Sequence, residues 1–169
     1  MNIVINGFGR IGRTFLRAAL KRKLNVLAIN DLTAPSTLAH LFKYDSVHGV
    51  YQGEIGFDDQ SLTIDGKNIK VFAQKDPVLL PWALLNVDMV IESTGKFTNK
   101  ALANLHIQAG AKQVIISAPA TDPSIPMVVI GVNDNEIDLR SAILSNASCT
   151  TNNVAPMIKI LDDNWGVEE

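Results

Sequence analysis

A chain of 169 residues, 47% hydrophobic and 19% charged, is long enough for one well-formed core and too apolar to be disordered. Its 15 basic and 17 acidic residues leave a net charge of −2 with no Lys/Arg run, so nothing in it draws nucleic acid or an anionic membrane surface. Cys149 is the only cysteine, which excludes an intrachain disulfide and points to a reducing, cytoplasmic setting; no signal-peptide pattern and no bilayer-length apolar run is present.

The first predicted element is a strand over Asn2 to Asn6. Gly7-x-Gly9-x-x-Gly12 follows at once, and a helical pattern begins inside it. This is the order a dinucleotide-binding loop needs. Gly7 permits the tight turn, Gly9 lets backbone approach a pyrophosphate, and Gly12 lets the helix lie close on the strand. The first helical N–H groups then face the phosphates. The helix is expected to bury Ile11, Phe15, Ala18 and Ala19 and to turn Arg13, Arg17 and Lys21 outward.

A second strand, Asn25 to Asn30, ends in Asp31, 19 residues after Gly12. A carboxylate there either accepts from the ribose diol of an adenosine or caps the following turn. In the first role it also repels a 2′-phosphate and so favours NAD over NADP. Ser36 is expected to cap a short helix over Thr37 to Tyr44. The segments Gly53 to Phe57, Ser61 to Ile64 and Asn68 to Ala73, with an Asp65-Gly66 turn, read as an inserted β-hairpin. Pro77 to Leu85 is a turn-and-helix piece.

The second half alternates strand and helix: strand Val87 to Glu92, helix Lys100 to Ala109, then strands Gln113 to Ser117, Met127 to Val132 and Ala142 to Ser145. The fold class is therefore α/β, a Rossmann-type doubly wound, mostly parallel sheet with helices on both faces. Cofactor contacts belong at the carboxyl ends of its strands, at Asn6 to Ile11, Asp31, Ser93 to Gly95 and Ser117.

Cys149 lies in Ser145-Asn146-Ala147-Ser148-Cys149-Thr150-Thr151-Asn152, after the last strand and before a helical stripe of Val154, Met157, Ile158, Leu161 and Trp165. Pro156 predicts a kink or an irregular first turn. A thiol at a helix N-terminus is placed to ionise and act as a nucleophile. A lone cysteine is also commonly a small buried hydrophobe, although the flanking Ser, Thr and Asn argue against an apolar pocket.

Asn6 to Arg13, Ile29-Asn30-Asp31, Lys43 to Gly49, Glu92-Ser93-Thr94-Gly95, Ser117-Ala118-Pro119 and Ser145 to Asn152 together closely resemble the phosphorylating glyceraldehyde-3-phosphate dehydrogenases, along essentially the whole chain. The resemblance implies Cys149 as the nucleophile toward the aldehyde of glyceraldehyde 3-phosphate, and Ser148 and Thr150 as phosphate contacts. It implies NAD as cofactor, held by Asn6, Gly7, Phe8, Gly9, Arg10, Ile11, Asp31, Lys75, Thr94, Gly95, Phe97 and Ser117, with Leu32 in the NAD-preferring pattern. No metal is implied. Inorganic phosphate would be the second substrate and 1,3-bisphosphoglycerate the product, released from a cysteine thioester.

Two departures matter. Asn153 stands where the family usually shows a second cysteine. The family's activating histidine, its substrate-phosphate arginine and threonine and most of its substrate domain follow the helix that begins at the cysteine, beyond Glu169. The expected organisation is an NAD-binding domain at 1–147 and, at 148–169, the cysteine loop and first helix of a truncated substrate domain. Such a chain should bind NAD without turnover. None of His40, His48 and His106 is expected to replace the missing base; surface or local hydrogen-bonding roles suit them better. A homotetramer is expected of the full-length protein, and a monomer or dimer of this chain. The apolar stripe after Cys149 is expected to pack back on the sheet, pair with another copy or fray. An erythrose-4-phosphate dehydrogenase half and a non-catalytic NAD-binding module are the competing readings.

Overall fold

The computed structural model describes residues 1–168. Its elements are β1 (Asn2–Asn6), α1 (Arg10–Lys21), β2 (Asn25–Asn30), α2 (Pro35–Lys43), β3 (Tyr44–Asp45), β4 (Gly49–Val50), β5 (Ile55–Phe57), β6 (Ser61–Ile64), β7 (Lys67–Phe72), a 3-10 turn (Pro77–Leu79), β8 (Met89–Glu92), α3 (Lys100–Gln108), β9 (Gln113–Ile116), β10 (Ile143–Ser145) and α4 (Cys149–Trp165). Eight strands form one sheet in the order β10-β9-β8-β1-β2-β7-β6-β5, with every pair from β10 to β7 parallel. The chain leaves β1 toward β2 and later returns to β1's other side with β8, which opens a crevice at the carboxyl end of β1.

The strand alternation of β1 divides the core between two faces. Ile3 and Ile5 face α1 and α2 and pack with Leu16, Ile29, Leu38 and Phe42. Val4 joins the other face with Trp82, Val90, Ala103, Val114 and Ile116, under α3. The expected hairpin is present between the two halves of the fold and joins the sheet. Its last strand, β7, pairs in parallel with β2 and carries β6 and β5 as the sheet's antiparallel edge.

Several local expectations are corrected. The buried face of α1 is Gly12, Leu16 and Ala19, while Ile11 is exposed in the first turn. Arg17 does not point outward: its guanidinium lies 5.4 Å from the Phe42 ring centroid and donates to the Phe42 and Gly49 carbonyls, fastening β4 to the body. Arg13 is likewise half-buried and donates to the Phe8 carbonyl. Ser36 caps nothing, because Pro35 already begins α2 and Ala34 occupies the cap position.

Residues Met127 to Val132 do not form a strand. Met127 bridges Ser145, and the chain then turns, because Asn133 Oδ1 accepts the Val129 N–H and Asp134 Oδ1 accepts the Gly131 N–H. Finally, α4 does not pack back on the sheet. It runs through Pro156 as one helix with no buried residue, and Val154, Met157, Ile158, Leu161 and Trp165 are all exposed. No helix of the described residues is long and apolar enough to cross a membrane.

Candidate functional site

The crevice at β1 is built by three glycines with different duties. Gly7 has φ +90°, and a Cβ there would sit 2.7 Å from the Thr94 nitrogen. A Cβ on Gly12 would sit 2.2 Å from the Gly7 carbonyl oxygen. Both absences are required by the chain's own packing. Gly9 differs: its backbone is ordinary, with φ −69°, and nothing lies within 4 Å of where its Cβ would be. The open space it leaves is the cleft itself. Gly9 is also the N-cap of α1, with no side-chain cap and no acid in the first turn. This cradle fits a bound phosphate, since no side chain competes for the helix's positive end.

Asp31 stands at the adjacent strand end. Its Oδ2 accepts the Phe8 N–H at 2.7 Å and its Oδ1 accepts the Thr33 N–H at 2.9 Å. Each oxygen keeps a free lone pair, so the held carboxylate can still accept from a ribose diol. The Phe8 ring is buried and stacks on Phe42, so this residue reaches the site through its backbone.

The cleft encloses about 560 Å³ and is lined by Asn6, Gly7, Gly9, Asn30, Asp31, Leu32, Gln74, Lys75, Ser93, Thr94, Lys96 and Phe97. Nine of the residues singled out from sequence therefore share it: Asn6, Gly7, Gly9, Asp31, Leu32, Lys75, Ser93, Thr94 and Phe97. Arg10 and Ile11 are exposed on the first turn of α1, and Gly95 is exposed after β8. Ser117 is half-buried at the end of β9 and donates to the Glu92 carbonyl at 3.0 Å. A larger surface groove of about 940 Å³, between Asp58 and Leu85, contains none of these residues.

Sequence reasoning missed Asn30, Gln74 and Lys96. For Asn30 a signal existed: Asn6 and Asn30 end two strands expected to pair, and they are register partners. Their side chains meet, Asn30 Nδ2 donating to Asn6 Oδ1 at 2.7 Å.

Cys149 is the first residue of α4 and is exposed. Because β10 is parallel to its neighbours, α4 begins on the same edge of the sheet as the glycine loop. Ser148 caps the helix, its Oγ accepting the Thr151 N–H at 2.9 Å and lying 2.9 Å from the Thr150 hydroxyl. Asn152 Nδ2 donates to the Asn146 and Ser148 carbonyls and ties the helix start to the preceding loop. The three histidines are engaged elsewhere. His40 packs on Tyr44, and His48 lies 3.3 Å from the Thr14 hydroxyl. His106 is fully buried against Glu92 and Trp82, so a surface role is excluded for it.

The model of the glyceraldehyde 3-phosphate dehydrogenase NAD-binding domain matches residues 1–100. The chain is 52% identical over 168 residues to the glyceraldehyde-3-phosphate dehydrogenase of Mycoplasma pneumoniae, a match covering 99% of this chain and 50% of that protein. It is 54% identical over 168 residues to that of Thermotoga maritima, covering 98% and 50%. Against that of Debaryomyces hansenii it is 53% identical over 171 residues, covering 100% and 50%. The chain thus spans about half the length of the curated relatives it matches. It belongs to the glyceraldehyde-3-phosphate dehydrogenase family, and it carries that family's NAD-binding domain, with NAD as cofactor.

Proposed function

We propose that this chain binds NAD across the β1 crevice and supplies Cys149 as the nucleophile for the phosphorylating oxidation of glyceraldehyde 3-phosphate. Residues 1–147 are the NAD-binding domain. Residues 148–169 are the cysteine loop and first helix of a second domain, a division supported by the absence of any buried residue in α4. The observation that carries the reading is the shared sheet edge: Gly9, Asp31 and Cys149 all follow parallel strands that end there.

In this reading Asp31 holds the adenosine ribose, the uncapped N-terminus of α1 holds the pyrophosphate, and Thr94 and Phe97 flank the nicotinamide half. Cys149 Sγ adds to the aldehyde carbon to give a thiohemiacetal, with its own N–H available to the oxyanion. The cofactor supplies the hydride acceptor. The thioester left on Cys149 is then open to attack by inorganic phosphate, with Ser148 and Thr150 placed as anion contacts.

Among the described residues the contacts of His40, His48 and His106 are with groups other than Cys149, and none stands beside it as a base. The 169-residue chain is therefore expected to bind NAD and to give no steady-state turnover. Calorimetric titration with NAD, alongside an assay for NADH formation, tests both halves. Saturable binding with turnover at the rate of the complete dehydrogenases would overturn the second half; absence of binding would overturn the first.

A further inference from the structure

Beneath the cleft floor, three register-aligned strand ends carry Asn30, Asn6 and Glu92 in a row. All three are buried, Glu92 to 1% exposure. Two hydrogen-bond chains converge on Glu92, and an indole N–H at one end and a backbone N–H at the other fix the direction of the N–H groups in them.

On one side, Trp82 Nε1–H donates to His106 Nδ1 at 3.1 Å. An indole nitrogen can only donate, so His106 Nδ1 carries no proton and the ring is neutral with its proton on Nε2. That proton is directed at Glu92 Oε2, 3.0 Å away. On the other side, the Gln74 N–H donates to Asn30 Oδ1 at 2.8 Å, which turns Asn30 Nδ2 toward Asn6 Oδ1. Asn6 must then present Nδ2 to Glu92 Oε2, at 2.6 Å, beside His106 Nε2 3.2 Å away, so that two donors share this one oxygen. Glu92 Oε1 accepts the Thr94 N–H at 2.8 Å and the Thr94 hydroxyl, whose oxygen in turn accepts the Lys96 N–H.

Glu92 thus receives three N–H donors, from Asn6, His106 and the Thr94 backbone, beside the Thr94 hydroxyl, and every one of these groups is uncharged. An acceptor-only carboxyl is an ionised one. Its charge is solvated by neutral dipoles and offset by no cation: among the described residues its one titratable partner is the neutral His106. Lys96 is exposed on the cleft wall and touches the network only through its backbone.

The position of this charge gives it a use. With the ribose carboxylate after β2 and the phosphate cradle after β1, a dinucleotide running across the crevice places its nicotinamide half on the β8 side. Glu92 ends β8 and lies one side chain behind Thr94. The nicotinamide ring is cationic when oxidised and neutral when reduced. We infer that Glu92 is a buried anion that selects the oxidised cofactor, and that His106–Trp82 and Asn6–Asn30 hold it ionised and in place. The inference rests on the NAD-binding reading.

The test is the ratio of two affinities. NAD⁺ and NADH are titrated calorimetrically into the wild-type chain and into Glu92→Gln. Loss of one charge at this depth should weaken NAD⁺ relative to NADH on the order of tenfold. Glu92→Asp, which keeps the charge, should leave the ratio near that of wild type. Equal weakening of both forms by Glu92→Gln would reduce Glu92 to a structural residue and overturn the inference. Failure of the wild type to bind either form would instead overturn the cofactor assignment. Should Glu92→Gln not fold, ring ¹⁵N shifts of His106 in the wild type decide the matter. Nδ1 unprotonated and Nε2 protonated is expected; an imidazolium would supply the missing cation and overturn the inference.

Discussion

Two helices begin at the same edge of the sheet and are built in opposite ways. The N-terminus of α1 has no side-chain cap, while its body is pinned to the sheet through Gly12, Leu16 and Ala19. The N-terminus of α4 is capped by Ser148, while its body buries nothing. The difference shows what makes a helix end a receptor. Free N–H groups hold an anion usefully only when the helix cannot move, and α1 obtains that rigidity from packing along its length. At α4 the local hydrogen bonds of Ser148 and Asn152 hold the helix start, and the position of Cys149 depends on that short loop.

The sharpest way to break the contrast is at Gly12. An added Cβ would lie 2.2 Å from the Gly7 carbonyl, and neither partner can give way, because both are backbone. Gly12→Ala is expected to lower stability by about 4 kcal/mol, read as a fall in the urea midpoint. A midpoint close to wild type would show that α1 is not tightly seated. A pair of leucines compares the helix bodies. Leu16 is fully buried and Leu161 is 52% exposed. Leu16→Ala should cost about 3 kcal/mol and Leu161→Ala less than about 0.5 kcal/mol. Comparable losses would mean that the α4 stripe is covered in solution, by another copy of the chain.

The same contrast explains what the sequence could disclose. The glycine spacing, Asp31 and the thiol at a helix start depend on short-range order, and all three lie where strand ends were expected. The strand expected over Asn2 to Asn6 is present, and its apolar run Ile3-Val4-Ile5 is buried on both faces. The strand expected over Met127 to Val132 failed because two side chains downstream, Asn133 and Asp134, capture the N–H groups a ladder would need. Ile11 reads as a core residue by helical spacing, but the seated face is fixed by Gly12, whose lack of a side chain brings that side closest to the sheet. The row of Asn30, Asn6 and Glu92 was hidden for another reason. It exists only through strand register, with partners 86 residues apart, as between Asn6 and Glu92.

Gly9 separates the chain's needs from the ligand's. Gly7 and Gly12 are glycines because the protein would otherwise collide with itself. At Gly9 the backbone is extended, with φ −69° and outside the left-handed region that favours glycine, and an added Cβ meets nothing within 4 Å. Gly9→Ala should therefore fold with a stability within about 0.5 kcal/mol of wild type. The methyl group would project into the cleft where a pyrophosphate must come close to the backbone, and the NAD dissociation constant should rise about tenfold, equivalent to about 1.4 kcal/mol. Unchanged affinity would place the phosphates away from the α1 N-terminus. Loss of stability would show that Gly9, like its two neighbours, serves the fold.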